Sequence, residues 1–181
     1  MACTLLELTQ DTCVASDGGI KQSFLIDSAK INASGITHTS EVISAITTSG
    51  NWVSFEYDTD NDTAYYNQEG ERTNNRHVFN QTAFMSFAGI DSTKRAAVEA
   101  LKNCCAVVAV HFLNNGKALI QGVELLTSPT WQVTKKKCKA TINILTDTGA
   151  NEDRIEVTLI SQSRQASAFV NMDVDDFIAG T

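Results

Sequence analysis

VVAVHFLNNGKALIQGVEL, residues Val107–Leu125, constrains this chain more than any other stretch. Two apolar runs flank Asn114-Asn115-Gly116, and an Asn-Gly pair between alternating apolar residues is a strong hairpin signal. With Asn115-Gly116 as a two-residue turn, Asn114 pairs with Lys117, Phe112 with Leu119, Val110 with Gln121 and Val108 with Val123. That face is mostly apolar. The other face, Val107, Ala109, His111 and Leu113 with Ala118, Ile120 and Gly122, is mostly apolar too. A strand pair apolar on both faces must be covered on both sides. This excludes a lone sheet with one wet face. It predicts a sandwich with a helix or a neighbouring subunit against the second face.

The surrounding pattern is mainly β. Gln22–Ile31 reads as a strand, with Phe24 and Ile26 on one face and Leu25 on the other. Ser34–Gly50 is rich in Ser, Thr and Gly, with a short helical or turn-like piece around Val42–Ile46. In Trp52–Tyr57, Val53, Phe55 and Tyr57 alternate with Trp52, Ser54 and Glu56, and His77–Phe87 alternates likewise, with Gln81 the exception on its apolar face. Asp91 or Ser92 caps a helix that Asn103 ends as a left-handed stop; Ile90, Ala97, Leu101 and Cys104 form its stripe. After Pro129, Cys138, Ala140, Ile142 and Ile144 share one strand face. Arg154–Ile160 turns Ile155, Val157 and Leu159 inward.

Between two of these strands lies DTDNDTAYYNQEGERTNNR, Asp58–Arg76, too long for an ordinary turn. A projecting hairpin ordered by a partner and a flexible loop both fit it. The expected fold is therefore a β-sandwich or half-open barrel with one packed α-helix and a long projecting hairpin or loop. All 181 residues form one domain, with an N-terminal arm at about 1–21 and a C-terminal tail at about 162–181. One proline in the whole chain leaves no proline-rich seam between domains.

Charge narrows the function classes. Residues 1–90 carry 4 basic and 11 acidic side chains; residues 91–181 carry 10 of each. The acidic excess argues against sequence-specific DNA binding. MACTLLELTQ has no basic start and Glu7 interrupts its apolar stretch, so no export signal is expected. The longest apolar run, Cys104–Val110, is far short of the roughly 18–20 residues that span a bilayer, so no membrane partner is expected.

No cofactor or metal motif stands out. The five cysteines are irregularly spaced and read as reduced thiols; Cys3 and Cys13 approach each other only if the segment between them turns back. Asp58, Asp60 and Asp62 open like a calcium loop with Glu69 at position twelve, but Thr63 stands where that loop needs glycine. His111, on an apolar face, reads as a core or interface histidine with one hydrogen bond. No phosphate loop, dinucleotide fingerprint, nucleophile elbow or HExxH motif occurs, so no catalytic residue is assigned. Lys135, Lys137 and Lys139 line one exposed strand face and suit the acidic half of a neighbouring copy. Asp58, Asp60, Asp62, Tyr65 and Tyr66 are further subunit-contact candidates.

The order of these short motifs resembles the tail tube proteins of tailed bacteriophages, in particular those of Bacteroidetes hosts. It rests on Met1-Ala2-Cys3, Cys13 and Gly18-Gly19-Ile20-Lys21, then Phe79–Phe87, Ser92–Asn103, Ala106–Leu113, Asn115-Gly116 and Gly122-Val123-Glu124. Two departures stand out: Leu125–Trp131 replaces a glycine-rich segment, and Gln162–Thr181 is longer. The resemblance implies a virion protein assembled in the bacterial host cytoplasm. Its copies form homohexameric rings stacked into a tube that joins other tail proteins and conducts DNA during ejection without binding its sequence. It also implies that the loop near 58–76 and both termini bridge rings. A head-to-tail connector or tail terminator ring is the alternative, and a monomeric soluble binding module the outside alternative.

Overall fold

The computed structural model describes residues 19–57, 63–73, 76–104, 106–126, 132–146 and 153–178. Thirteen strands are present among them: β1 (Ile20–Asp27), β2 (Ile31–Thr39), β3 (Val42–Thr48), β4 (Val53–Glu56), β5 (Thr63–Thr73), β6 (Arg76–Ala88), β7 (Val107–Leu113), β8 (Ala118–Gln121), β9 (Val123–Leu126), β10 (Gln132–Lys135), β11 (Lys139–Leu145), β12 (Arg154–Ser163) and β13 (Phe169–Val170). Two α-helices, α1 (Ser92–Asn103) and α2 (Val174–Ile178), and a short 3-10 helix at Ser28–Lys30 complete the set. A seven-stranded sheet runs β2-β3-β13-β8-β7-β1-β4, a four-stranded sheet β11-β12-β6-β5, and β9 pairs with β10.

The seven-stranded sheet is the shared wall of two apolar layers, as the two-faced hairpin requires. On one side Leu25, Val107 and Ala109 meet Ala83, Met85, Ile155, Val157 and Leu159 of the four-stranded sheet, with Val98 and Leu101 of α1. On the other, Phe24, Ile26, Val108, Val110 and Ile120 meet Ile36, Ile43 and Ile46 from the far end of the same sheet. Residues from both ends of one sheet meet only if it curls, so this half is barrel-like. Phe177 of α2 closes that barrel, stacked on Phe24 at 5.1 Å and edge-on to Trp52 and Phe112. Each fully buried side chain of this size stabilises the fold by about 1.5–3 kcal/mol. The chain thus covers both faces itself.

Several expectations change. The turn at the hairpin tip holds three residues, not two: Gly116 N–H donates to Leu113 O at 3.0 Å, Leu113 N–H donates to Lys117 O at 2.8 Å, and Gly116 takes φ +78°. A type I turn followed by a left-handed residue is the usual geometry for this loop length. The register therefore shifts by one: Val110 pairs with Ile120 and Ala109 with Gln121. Ile120 joins the barrel layer and Gln121 faces the other. Gly122, at φ +90°, then reverses the inward parity, so that Val123 and Leu125 still face the barrel.

The Val42–Ile46 piece is strand, not helix or turn, and pairs with β2. Its inward Ile43 and Ile46 are buried while Ser44 and Ala45 between them are exposed. The loop reading of Asp58–Arg76 also fails over Thr63–Thr73, which pairs residue for residue with β6. Glu69 lies mid-strand opposite Asn80, which removes it from any compact calcium loop. Helix α1 is capped as expected, with Asp91 Oδ1 accepting from Lys94 N at 2.7 Å. Its end is different: Cys104, extended at φ −77°, is the cap, and Asn103 is not left-handed. The stripe expected along α1 omits Val98, its most buried residue. Residues 162–178 are no loose tail, because β12 continues to Ser163, β13 inserts between β3 and β8, and α2 buries Phe177.

Candidate functional site

The expected contact residues fall in different places. Asp58, Asp60 and Asp62, like Cys3 and Cys13, lie outside the described residues. Lys135, Lys137 and Lys139 do not share one strand face: Lys135 ends β10 and Lys139 starts β11. Lys135 Nζ donates to Ser28 O at 2.9 Å and Ile31 O at 2.8 Å, stitching β10 to the start of β2. Lys136 Nζ lies 3.2 Å from Oε2 of Glu124, a carboxylate with 1% of its side chain exposed. Glu124 Oε1 accepts from Arg164 N–H. All three of the expected trio are exposed, but the Lys135 ammonium is engaged within its own subunit.

Tyr65 and Tyr66 separate by the alternation of β5. Tyr66 faces inward, its hydroxyl bonded to Ser167 Oγ, and burial pushes its phenol pKa up. Tyr65 faces outward and stacks on Phe84 at 5.2 Å. The register of the four-stranded sheet puts Thr141, Thr158, Phe84 and Tyr65 in one row, and Lys139, Ile160, Thr82 and Asn67 in the next. Tyr65 and Lys139 thus lie on one sheet face. No described element covers this face, and Tyr65, Ile160 and Leu145 are 48%, 45% and 44% exposed on it. Both edges of the sheet are open among the described residues. Edge β11 begins at Lys139, and edge β5 carries exposed Glu69 and Glu71 on the same face.

A polar chain runs from the seven-stranded sheet to the inner face of this one. Tyr57 O–H donates to Ser23 Oγ at 2.9 Å, and Ser23 lies 2.8 Å from His111 Nδ1. His111 Nε2 lies 3.1 Å from Gln121 Oε1, while Gln121 Nε2 donates to Gln81 O and Leu159 O at 3.0 and 3.2 Å. Those two donations fix the Gln121 amide, so its oxygen faces the ring. Nε2 of His111 therefore carries the proton, and Nδ1 accepts from Ser23. Gln81 extends the chain, accepting from Ser161 Oγ at 2.8 Å and donating to Ser163 Oγ at 3.0 Å.

Burial first of all lowers the His111 pKa to about 4, against a smaller raising effect of the Gln121 bond. Ser23 and His111 are fully buried, so their pairing meets no solvent in this arrangement. Burial likewise pushes the Cys138 thiol up to about 12, which makes it a packing residue rather than a nucleophile. Among the described residues no group of His, Cys, Asp and Glu is placed to hold a metal ion.

The chain matches no family model, no curated protein and no solved structure. The geometry therefore carries the functional reading. Sequence reasoning missed Ser23, Tyr57 and Gln121 as one network. The available signals were Gln81, a polar residue at an apolar β6 position, and Gln121, once the turn length is set correctly.

Proposed function

We propose that this chain is a structural subunit of a phage tail tube, assembling into hexameric rings that stack and conduct DNA. The observation that carries the reading is the four-stranded sheet. Among the described residues one of its faces is uncovered and carries three exposed apolar side chains, and its two edges are unpaired and carry opposite charge, Lys139 at β11 and Glu69 with Glu71 at β5. An edge left unpaired is a template for another strand. Setting β11 of one copy beside β5 of the next joins different surfaces of identical subunits, and such a head-to-tail contact closes into a ring when the rotation closes. Lys137 and Lys139 then meet acidic side chains of the neighbour, and Lys135, engaged within its own subunit, takes no part. The ordered motifs that resemble tail tube proteins point the same way.

Negative-stain electron microscopy across rising protein concentration, with light scattering alongside, tests this. Stacked rings or tubes are the expected product. Single closed rings would assign the chain to a connector or terminator instead. A monomer at every concentration, with or without other tail proteins, would sink the assembly reading. Lys137→Glu with Lys139→Glu should block association at low salt, and intact assembly in that variant would refute the charge pairing.

A further inference from the structure

One end of the molecule holds a cleft of about 580 Å³ with an apolar floor and a basic rim. Phe79, Leu113, Leu125 and Phe169 line the floor, and His77, Lys117 and Arg164 stand around it with Glu41. His77 and Arg164 also bound an adjoining hollow of about 370 Å³, together with Arg76. Arg76, Lys117 and Arg164 thus face a single carboxylate, Glu41, among the described lining residues of a chain whose net charge is -7. The wall of the cleft is pinned. Residues 164–168 link β12 to β13, and buried Glu124 accepts from Arg164 N–H. Gln68 Oε1 accepts from Ser167 N–H at 2.8 Å, and Tyr66 bonds Ser167 Oγ. Gln68 faces the cleft, so Glu69 and Glu71 alternate to the other face of β5. An apolar hollow rimmed by cations fits an acidic segment that presents an apolar side chain.

We infer that the occupant is α2 of a second copy, with Ile178 on the apolar floor and Asp175 beside Arg76 and Arg164. Two observations choose it. The first is chemistry. Asp173-Val174-Asp175-Asp176-Phe177-Ile178 is both acidic and apolar. Phe177 anchors the helix in its own barrel, while Asp175 and Ile178, three residues apart and so neighbours on the helix surface, are exposed. Ile178, at 65%, is the most exposed large apolar side chain among the described residues. Asp176 caps its own helix, its carboxylate accepting from Asp173 N–H at 2.9 Å, which leaves the contact to Asp175. The second observation is direction. The cleft lies at the Ile20–Leu113 end of the β1–β7 ladder. β3 and β13 start beside it, after Glu41 and at Phe169, and run parallel away from it. α2 follows β13, and Phe177 reaches Trp52, next to the Leu25–Val53 pair and nearer the far end. A copy's α2 therefore leads away from its own cleft, and the contact joins different surfaces of two copies, head to tail. It runs along the strands, whereas pairing of β11 with β5 runs across them. Resting on the reading as a tube subunit, this end-to-end contact is the one that stacks rings.

Analytical ultracentrifugation tests this in a Lys137→Glu, Lys139→Glu background, which removes the side-by-side charge pairing. There the full chain should still associate end to end. Arg76→Glu with Arg164→Glu should weaken that association by about tenfold or more, and so should Asp175→Arg with Ile178→Asp. Each variant keeps one surface intact, so an equal mixture of the two should give a one-to-one dimer that neither forms alone. A mixture that stays monomeric, with urea midpoints like the parent's, would overturn the inference. So would a background chain that never associates while the unaltered protein closes into single rings, a result that leaves the ring reading standing. A mixed dimer without rings in the unaltered protein would do the reverse. Duplex DNA that binds the background chain and not the Arg76, Arg164 variant, with no mixed dimer, would also overturn the inference, because a phosphate backbone would then be the occupant.

Discussion

Acid should weaken this fold through one imidazole. His111 is wholly buried, with a pKa of about 4 against an ordinary 6.5. Below 6.5 the unfolded chain takes up a proton there that the folded chain refuses. The cause is geometric as well as dielectric. Protonation would place an N–H on Nδ1 facing Ser23, whose hydroxyl already donates to that atom and accepts from Tyr57. Tyr66, with its ring 5.3 Å away, is kept neutral and offers no counter-charge. Stability from this group is complete above pH 6.5 and is lost progressively as the pH falls to 4. At about 1.4 kcal/mol per pH unit the loss reaches about 3 kcal/mol, a large share of the 5–15 kcal/mol typical of a domain. Urea unfolding from pH 7.5 to 4, for the chain and for His111→Gln, isolates it because the carboxylates titrate alike in both. The unaltered chain should lose about 3 kcal/mol more than the variant over this range. Parallel stability curves would refute the buried neutral histidine.

Other substitutions test other parts of the design. Gly122→Ala should cost about 2–4 kcal/mol in urea unfolding: the position has φ +90°, and a Cβ would come within 2.9 Å of Cys138 Sγ and Lys136 O. Phe177→Ala should cost about 3–5 kcal/mol and make residues 169–178 the first site of limited proteolysis, since this ring joins Phe24, Trp52 and Phe112. Lys136→Met should cost about 2–3 kcal/mol by leaving Glu124 buried and unpaired, at the lower end because 32% of the Lys136 side chain is exposed. Adding Glu124→Gln to Lys136→Met should recover most of that loss in the same assay.

How far the sequence reveals this depends on whether contrast between neighbours marks a face. β12 alternates apolar with polar residues and its inward set follows from that alone, whereas β1 runs Phe24-Leu25-Ile26 and is buried on both faces. β2 and β3 hide because small and polar residues separate their few buried side chains, Ile31, Ile36, Ile43 and Ile46. β5 hides because it is polar along its length and owes its order to β6, so composition reads it as loop. The hairpin was recognisable but its register was not: Asn114-Asn115-Gly116 satisfies both a two- and a three-residue turn, and only the burial of Ile120 decides between them. The candidate surface was legible in part. Tyr65 and Lys139 do share a face, whereas the fate of Lys135 rests on two carbonyls about a hundred residues earlier in the chain.

The wall between the two layers has a kinetic consequence. Ser23 and His111 are 88 residues apart in sequence, yet they belong to strands that lie side by side. Neither layer has a surface to condense on until β1 finds β7, so that encounter stands early in folding and closes a long loop. The β5–β6 ribbon is local and can zip first, but its inward Ala83 and Met85 must wait for the wall. Domains dominated by such distant pairings fold in about milliseconds to seconds rather than microseconds. For a protein whose proposed work is to join many copies of itself, that delay separates in time the completion of each subunit from the exposure of its joining edges.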